Sequence, residues 1–178
     1  MGIREYFRQR KVERIELTEI EVQWLGIKGK WVADRVQQQA AWELYVELVT
    51  RVATQQLGPN QGLLREALTS IYSLFPETRR ILKQYGPKVA LPMECGALSL
   101  AEIALIVLNR HLRPLLAEWH PRLEAHEATR GEKVAPASHE RAWPDHQALR
   151  EEIDRLRNVL SSYAGLLARA CGVEPLRT

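Results

Sequence analysis

All five histidines of the 178-residue chain fall between residues 111 and 146, in a stretch also rich in arginine and glutamate. The polar set there comprises Arg110, His111, Arg113, Trp119, His120, Glu124, His126, Glu127, His139, Glu140 and His146. On a helix His120, Glu124 and Glu127 share one face, and an antiparallel return through a loop would bring His139 or His146 beside them. Imidazole and carboxylate in that combination suit a metal ligand shell, so a metal-dependent hydrolase built on His120, Glu124, Glu127, His139 and His146 is one alternative. The spacings specific to such sites are missing. His126-Glu127 and His139-Glu140 each open like H-E-x-x-H, yet Arg130 and Trp143 stand at the closing positions. No Glu-x-x-His, the signature of carboxylate di-iron bundles, occurs. The expectation is therefore no metal and no cofactor, with the charged residues bridging a helix hairpin.

Arg110, Arg113, Trp119, His120 and Arg122 allow a different use. Arginine and tryptophan are enriched where proteins meet partners, and an arginine beside an aromatic plane also suits nucleotide or RNA stacking. Trp119 has a competing assignment, because it continues an apolar stripe through Leu108, Leu112, Leu115 and Leu123 and fits a core position.

Other catalytic signatures are lacking. The chain contains no G-x-G-x-x-G, G-x-x-x-x-G-K-[ST] or G-x-S-x-G, so phosphate cradles and a nucleophile elbow are unsupported. Cys95 beside Gly96 could pair with a histidine as a nucleophile, but a lone cysteine near a loop is more often a bystander. Cys95 and Cys171 form no C-x-x-C, which fits a reducing cytoplasm. The opening MGIREYFRQRKVER has no apolar run of the signal-peptide kind, and Tyr6 occupies the place of the Ser or Thr that myristoylation requires.

The elements that would position these residues follow from periodicity. The run 100–127 is expected to be the central helix. Ser99 and Glu102 stand at capping-box spacing, and residues 103–108 are apolar without a break. That run ends at Asn109 and Arg110, well short of the roughly 20 residues a membrane span requires. Pro114 and Pro121 predict a kink or short break near each. A long helix is expected over 31–57, where Val36, Ala40, Ala41, Leu44, Leu48, Val49 and Val52 recur at helical spacing before Gly58-Pro59. Further helices are expected over 61–75, ending at Pro76, and over 77–85, ending at Gly86-Pro87. Residues 87–98 read as a loop and 128–138 as a polar surface connection. The last helix, from Pro144 to Cys171, carries an unbroken seam of Leu149, Ile153, Leu156, Leu160, Tyr163 and Leu167, with Gly172 placed to stop it. Such a seam packs on a neighbouring helix of the same domain or makes a homodimer. Residues 12–27 alternate in part, through Ile15, Leu17, Ile20, Val22 and Trp24, and would suit a hairpin, but a short irregular or extended segment is favoured over 1–30.

The fold class expected is all-α. Residues 31–178 form a single-domain bundle of about five helices, and residues 1–30 form the irregular N-terminal segment. A hydrophobic fraction of 46%, a charged fraction of 26% and a net charge of +3 describe an ordinary globular chain, weakly basic. The basic residues are 19 Arg and only 6 Lys, a bias that a genome rich in G and C would produce as readily as an interface. The function expected is a non-enzymatic helical interaction module, an adaptor or regulatory subunit of a bacterial cytoplasmic system, with a protein partner and no membrane span. The alternative is nucleic-acid binding through the Arg-rich faces.

Overall fold

Asp34 decides where the first helix begins. Its backbone is extended (φ −79°, ψ 175°) and its Oδ1 accepts the Gln37 N–H at 2.8 Å, so helical geometry starts only at Arg35. In the computed structural model, which describes residues 17–24, 27–51, 58 and 61–175, the chain ahead of that cap is an antiparallel hairpin. Strands β1 (Thr18–Trp24) and β2 (Ile27–Ala33) pair with Thr18 opposite Ala33 and Glu21 opposite Lys30. In β1, Ile20 and Val22 point into the core while Glu19, Glu21 and Gln23 face solvent, the alternation of a half-buried strand. Two expectations are corrected here. The fold is mostly helical but not all-α, and Trp31 to Ala33 belong to a strand rather than to the first helix.

Helix α1 (Arg35–Val49) follows, then α2 (Leu64–Tyr72), α3 (Leu74–Tyr85) and a 3₁₀ turn (Gly86–Ala90). The continuation of α1 expected through Val52 to Leu57 lies outside the described residues. Between α2 and α3 the helix breaks at Ser73 rather than at Pro76. Pro76 sits in the first turn of α3, where a missing N–H has no helical partner to lose. At the other end Gly86, at φ 67° and ψ −159°, takes a positive-φ conformation open to glycine and stops α3.

The central run holds as one helical rod of three parts: α4 (Leu100–Ile106), a π turn (Val107–Leu112) and α5 (Arg113–Glu127). It starts with the expected capping box, Ser99 Oγ accepting from Glu102 N–H and Glu102 accepting from Ser99 N–H at 2.8 Å. Pro114 accounts for the π turn. Its ring would crowd the Arg110 carbonyl and it can donate no hydrogen bond, so the backbone widens just upstream, with Arg113 N–H reaching Leu108 O five residues back. The wider turn carries Leu112, Leu116, Trp119 and Leu123 into the core and leaves Leu115 half-buried. Pro121 lies within α5 without interrupting it.

After α5 come α6 (Pro136–Arg141) and α7 (His146–Ala170). Pro144 precedes α7 instead of entering its first turn. At the far end Gly172, at φ 68°, sends its N–H to Arg169 O and lets Val173 N–H reach Ala168 O, both orphan carbonyls being satisfied. Every residue of the α7 seam is buried, and the helix lies mainly along α1 with further contacts to β1 and α2. The seam is thus consumed inside the chain. Among the described residues no helix is long and apolar enough to cross a membrane.

Gln37 ties hairpin, α1 and central rod together. Fully buried, its side-chain oxygen accepts from Trp31 Nε1 at 2.8 Å and from Leu100 N–H at 3.1 Å, while its amide nitrogen donates to Leu91 O at 3.1 Å. Leu98 adds a second attachment, donating its N–H to Lys30 O at 2.7 Å. Its side chain sits where a Cβ on Gly29 would meet it at 3.2 Å, so glycine is what lets the strand approach this closely.

Candidate functional site

The histidine-rich third resolves into a helix hairpin held by its own polar groups. His126 and His139 stack in parallel with centroids 4.0 Å apart, and each Nε2 lies about 3 Å from the other's backbone oxygen, at 3.0 and 2.9 Å. Both Nε2 atoms therefore carry hydrogen and donate to those carbonyls. His126 also stacks on Trp143, which meets Trp119 edge-on at 6.0 Å. Glu127 accepts twice from Arg65 of α2, at 3.0 and 2.6 Å. Glu140 is buried and accepts from Leu64 N–H at 2.8 Å and Arg65 N–H at 3.3 Å, so it caps α2 from 76 residues away. Arg122 lies over the Trp119 ring at 4.3 Å and binds Asp145 and Glu118. These contacts join α2, α5, α6 and α7.

The residues weighed as metal ligands are not brought together. Glu127 is held by Arg65, His139 by His126, Glu124 is exposed, and His120 stands 6.0 Å from the Tyr72 ring. Among the described residues no three of His, Cys, Asp and Glu are placed to share a metal ion. His146 is partly buried at the start of α7, and desolvation lowers its pKa, with Glu140 opposing and Arg150 and Arg141 reinforcing. His111, in the π turn, is lowered by desolvation and then by Arg110.

The five interaction candidates divide. Trp119 is only 5% exposed and Arg122 covers it, so both belong to the hairpin packing. Arg110 is exposed on the π turn. Arg113 and His120, seven residues apart on α5, look out on the same side, toward the junction of α2 and α3. There Arg113 lies over Phe75 at 5.5 Å, Phe75 neighbours Tyr72 at 6.3 Å, and Tyr72 neighbours His120. This strip borders a groove of about 300 Å³ between α3 and the rod. One wall is Phe75, Thr78, Arg79, Leu82 and Lys83; the other is Leu105, Leu108, Asn109 and Arg113. Leu105 is 47% exposed, an unusual placement for a leucine in the most apolar run of the chain.

The rim of this groove is basic, and among the described residues its cations have no carboxylate partner. Arg79 and Lys83 make no ion pair among the described residues, and Arg113 bonds only the Asn109 amide oxygen, at 3.1 Å. Several arginines elsewhere are matched at helical spacing: Arg51 with Glu47, Arg80 with Glu77, Arg122 with Glu118, Arg155 with Glu152 and Arg157 with Asp154. This difference is legible in the sequence, since Arg79, Lys83 and Arg113 have no acid three or four residues to either side. Phe75, Arg79, Leu82, Lys83 and Leu105 are nonetheless missing from the candidate set read from the sequence, because they lie on two segments that only the fold brings together.

A larger open groove of about 590 Å³ runs along α1 to the C-terminal end of α7, past Trp42, Tyr85 and Cys171. Several of its polar groups are already engaged. Tyr85 donates to Glu43 at 2.5 Å, which pushes the phenol up to about 12, and Gln84 donates to the same carboxylate. Cys171 donates to Gln38 O, and burial raises its thiol to about 11, too high to supply a thiolate nucleophile. Cys95 is exposed and hydrogen-bonds none of the five histidines.

The two lowered histidines make stability pH-dependent in a defined direction. In the unfolded chain both take up a proton near the ordinary value of 6.5, whereas in the fold they do so only at lower pH. The unfolded state thus binds more protons across that window, and stability present above pH 6.5 is lost as the pH falls toward the folded values. Thermal melts at pH 7.5 and 5.5 are expected to show a lower Tm at the acid value. A variant with His111→Gln and His146→Gln should show a smaller difference; an unchanged difference would assign the effect to other groups.

The chain matches no protein-family model, no curated protein and no solved structure.

Proposed function

We propose that the chain is a non-enzymatic interaction module, an adaptor or regulatory subunit that docks a protein partner in the groove between α3 and the central rod. The observation that carries this reading is the rim: Arg79, Lys83 and Arg113 converge around an apolar floor, with no carboxylate partner among the described residues. A groove of that kind supplies both the desolvated apolar contact and the charge pattern that recognition uses. The two free thiols suit action in a reducing cytoplasm. The rival is nucleic-acid binding, favoured by the strip of Arg113, Phe75, Tyr72 and His120. It would weaken steeply with salt through counterion release at many phosphates, whereas an apolar groove with three rim cations would weaken less.

Photo-crosslinking from the native host tests the proposal. A benzophenone side chain at position 105 is expected to capture one discrete protein, and the same group at Val134, exposed on the α5–α6 connection, is expected not to. Equal capture from both positions, or capture of nucleic acid alone from position 105, would count against it.

A further inference from the structure

The geometry points to the occupant of the groove, and we propose that it is an acidic amphipathic helix of the partner; this rests on the interaction-module reading above. Two observations define it. First, the walls are helical stripes: Phe75, Arg79 and Leu82 recur at i, i+4 and i+7 on α3, and Leu105, Leu108 and Asn109 recur at i, i+3 and i+4 on the rod. Between Phe75 and Lys83 the groove runs about 12 Å, roughly two helical turns. A length of two turns accepts a partner's apolar side chains at i, i+3 or i+4 and i+7, the spacing by which a helix fills a groove. The volume of about 300 Å³ lies at the small end of ligand clefts, roughly 300–1,000 Å³, and suits a few inserted side chains. Leu105 is the apolar contact that rises out of the floor to meet them.

Second, the cations flank the apolar floor on both sides. Arg79 and Lys83 line the α3 wall, and Arg113 lines the opposite one, with no aspartate or glutamate among the lining residues. A helix lying between them places its own flanking residues against positive charge on both edges, so glutamate or aspartate beside the apolar stripe completes the ion pairs that the fold leaves open. A basic or neutral helix of the same shape would meet uncompensated repulsion or gain nothing. Arg113 already occupies a face of Phe75, which leaves that ring less open as a stacking platform for bases.

The test uses the full chain and three probes in fluorescence anisotropy. These are a helical peptide of about four turns with leucines at groove spacing and flanking glutamates, the same peptide with lysines for the glutamates, and a single-stranded oligonucleotide of matched charge. The glutamate peptide is expected to bind about tenfold or more tightly than either other probe. Arg79→Glu with Lys83→Glu should abolish that preference. Lys133→Glu with Arg169→Glu, the same change of charge at exposed positions on the α5–α6 connection and on α7, should leave it within about twofold. Circular dichroism confirms that both double variants stay folded. Equal binding of the two peptides, tighter binding of the oligonucleotide, loss in the control variant, or no binding by any probe would each overturn the acidic-helix assignment. A discrete crosslink from position 105 alongside such a failure would leave the docking groove standing and its occupant wrong.

Discussion

Leu156→Asp is expected to leave the chain largely unfolded at room temperature. Leu156 is 5% exposed in the middle of the α7 seam, so aspartate there removes a buried leucine and places a charge, or a neutral acid with no prepared partner, in the core. Loss of the leucine alone costs about 2–5 kcal/mol, and burial of the acid adds more. Together these approach the whole stability of a typical domain, roughly 5–15 kcal/mol. Leu156→Met, which keeps the volume, should cost under about 1.5 kcal/mol. Chemical denaturation of both variants checks this, and an aspartate variant whose midpoint equals the parent's would show that α7 is not packed as described.

Gln37→Leu is the second large effect, and it acts through orphaned partners rather than lost apolar contact. Leucine approximates the volume of glutamine, yet the Trp31 indole N–H, the Leu100 N–H and the Leu91 carbonyl all lose the group they bond. Each of the two buried N–H groups left unsatisfied costs about 1–3 kcal/mol, while the carbonyl of exposed Leu91 can turn to water, so the substitution should cost roughly 2–5 kcal/mol. Because the bonds lead to the hairpin, the 3₁₀ segment and the start of α4, amide exchange should accelerate there first. Acceleration spread evenly over the molecule, or a loss below about 1 kcal/mol, would mean that water or a shifted side chain replaces Gln37.

What the sequence revealed well was local. The α7 seam, the Ser99–Glu102 capping box and the glycines ending α3 and α7 depend on residues within a few positions of one another, and each is where its spacing predicted. The hairpin was obscured because Trp31, Val32 and Ala33 run without a break into the helical pattern that follows. Asp34, an N-cap residue directly before that pattern, was the available sign of the boundary. The π turn follows from Pro114, but its effect, shifting burial from Leu115 to Leu116, depends on which neighbours the rod meets. The same holds for the site. Arg113 and His120 stood out because they are neighbours in a cluster, and clustering in sequence also gathered Trp119 and Arg122, which the fold turns to the hairpin side. Arg79 and Lys83 are as important to the groove but lie some 30 residues earlier, and only the crossing of α3 beside the rod brings them opposite Arg113.

The central claim, that the groove between α3 and the rod is where a partner docks, is tested most directly by an amide NMR spectrum of the ¹⁵N-labelled chain in buffer and in clarified extract of its native host. Docking there predicts shifts or broadening centred on Phe75, Arg79, Leu82, Leu105, Asn109 and Arg113, suppressed by Arg79→Glu with Lys83→Glu. Spectra that superpose in the two media, or changes centred on Trp42 and Val173 at the other groove, would contradict it.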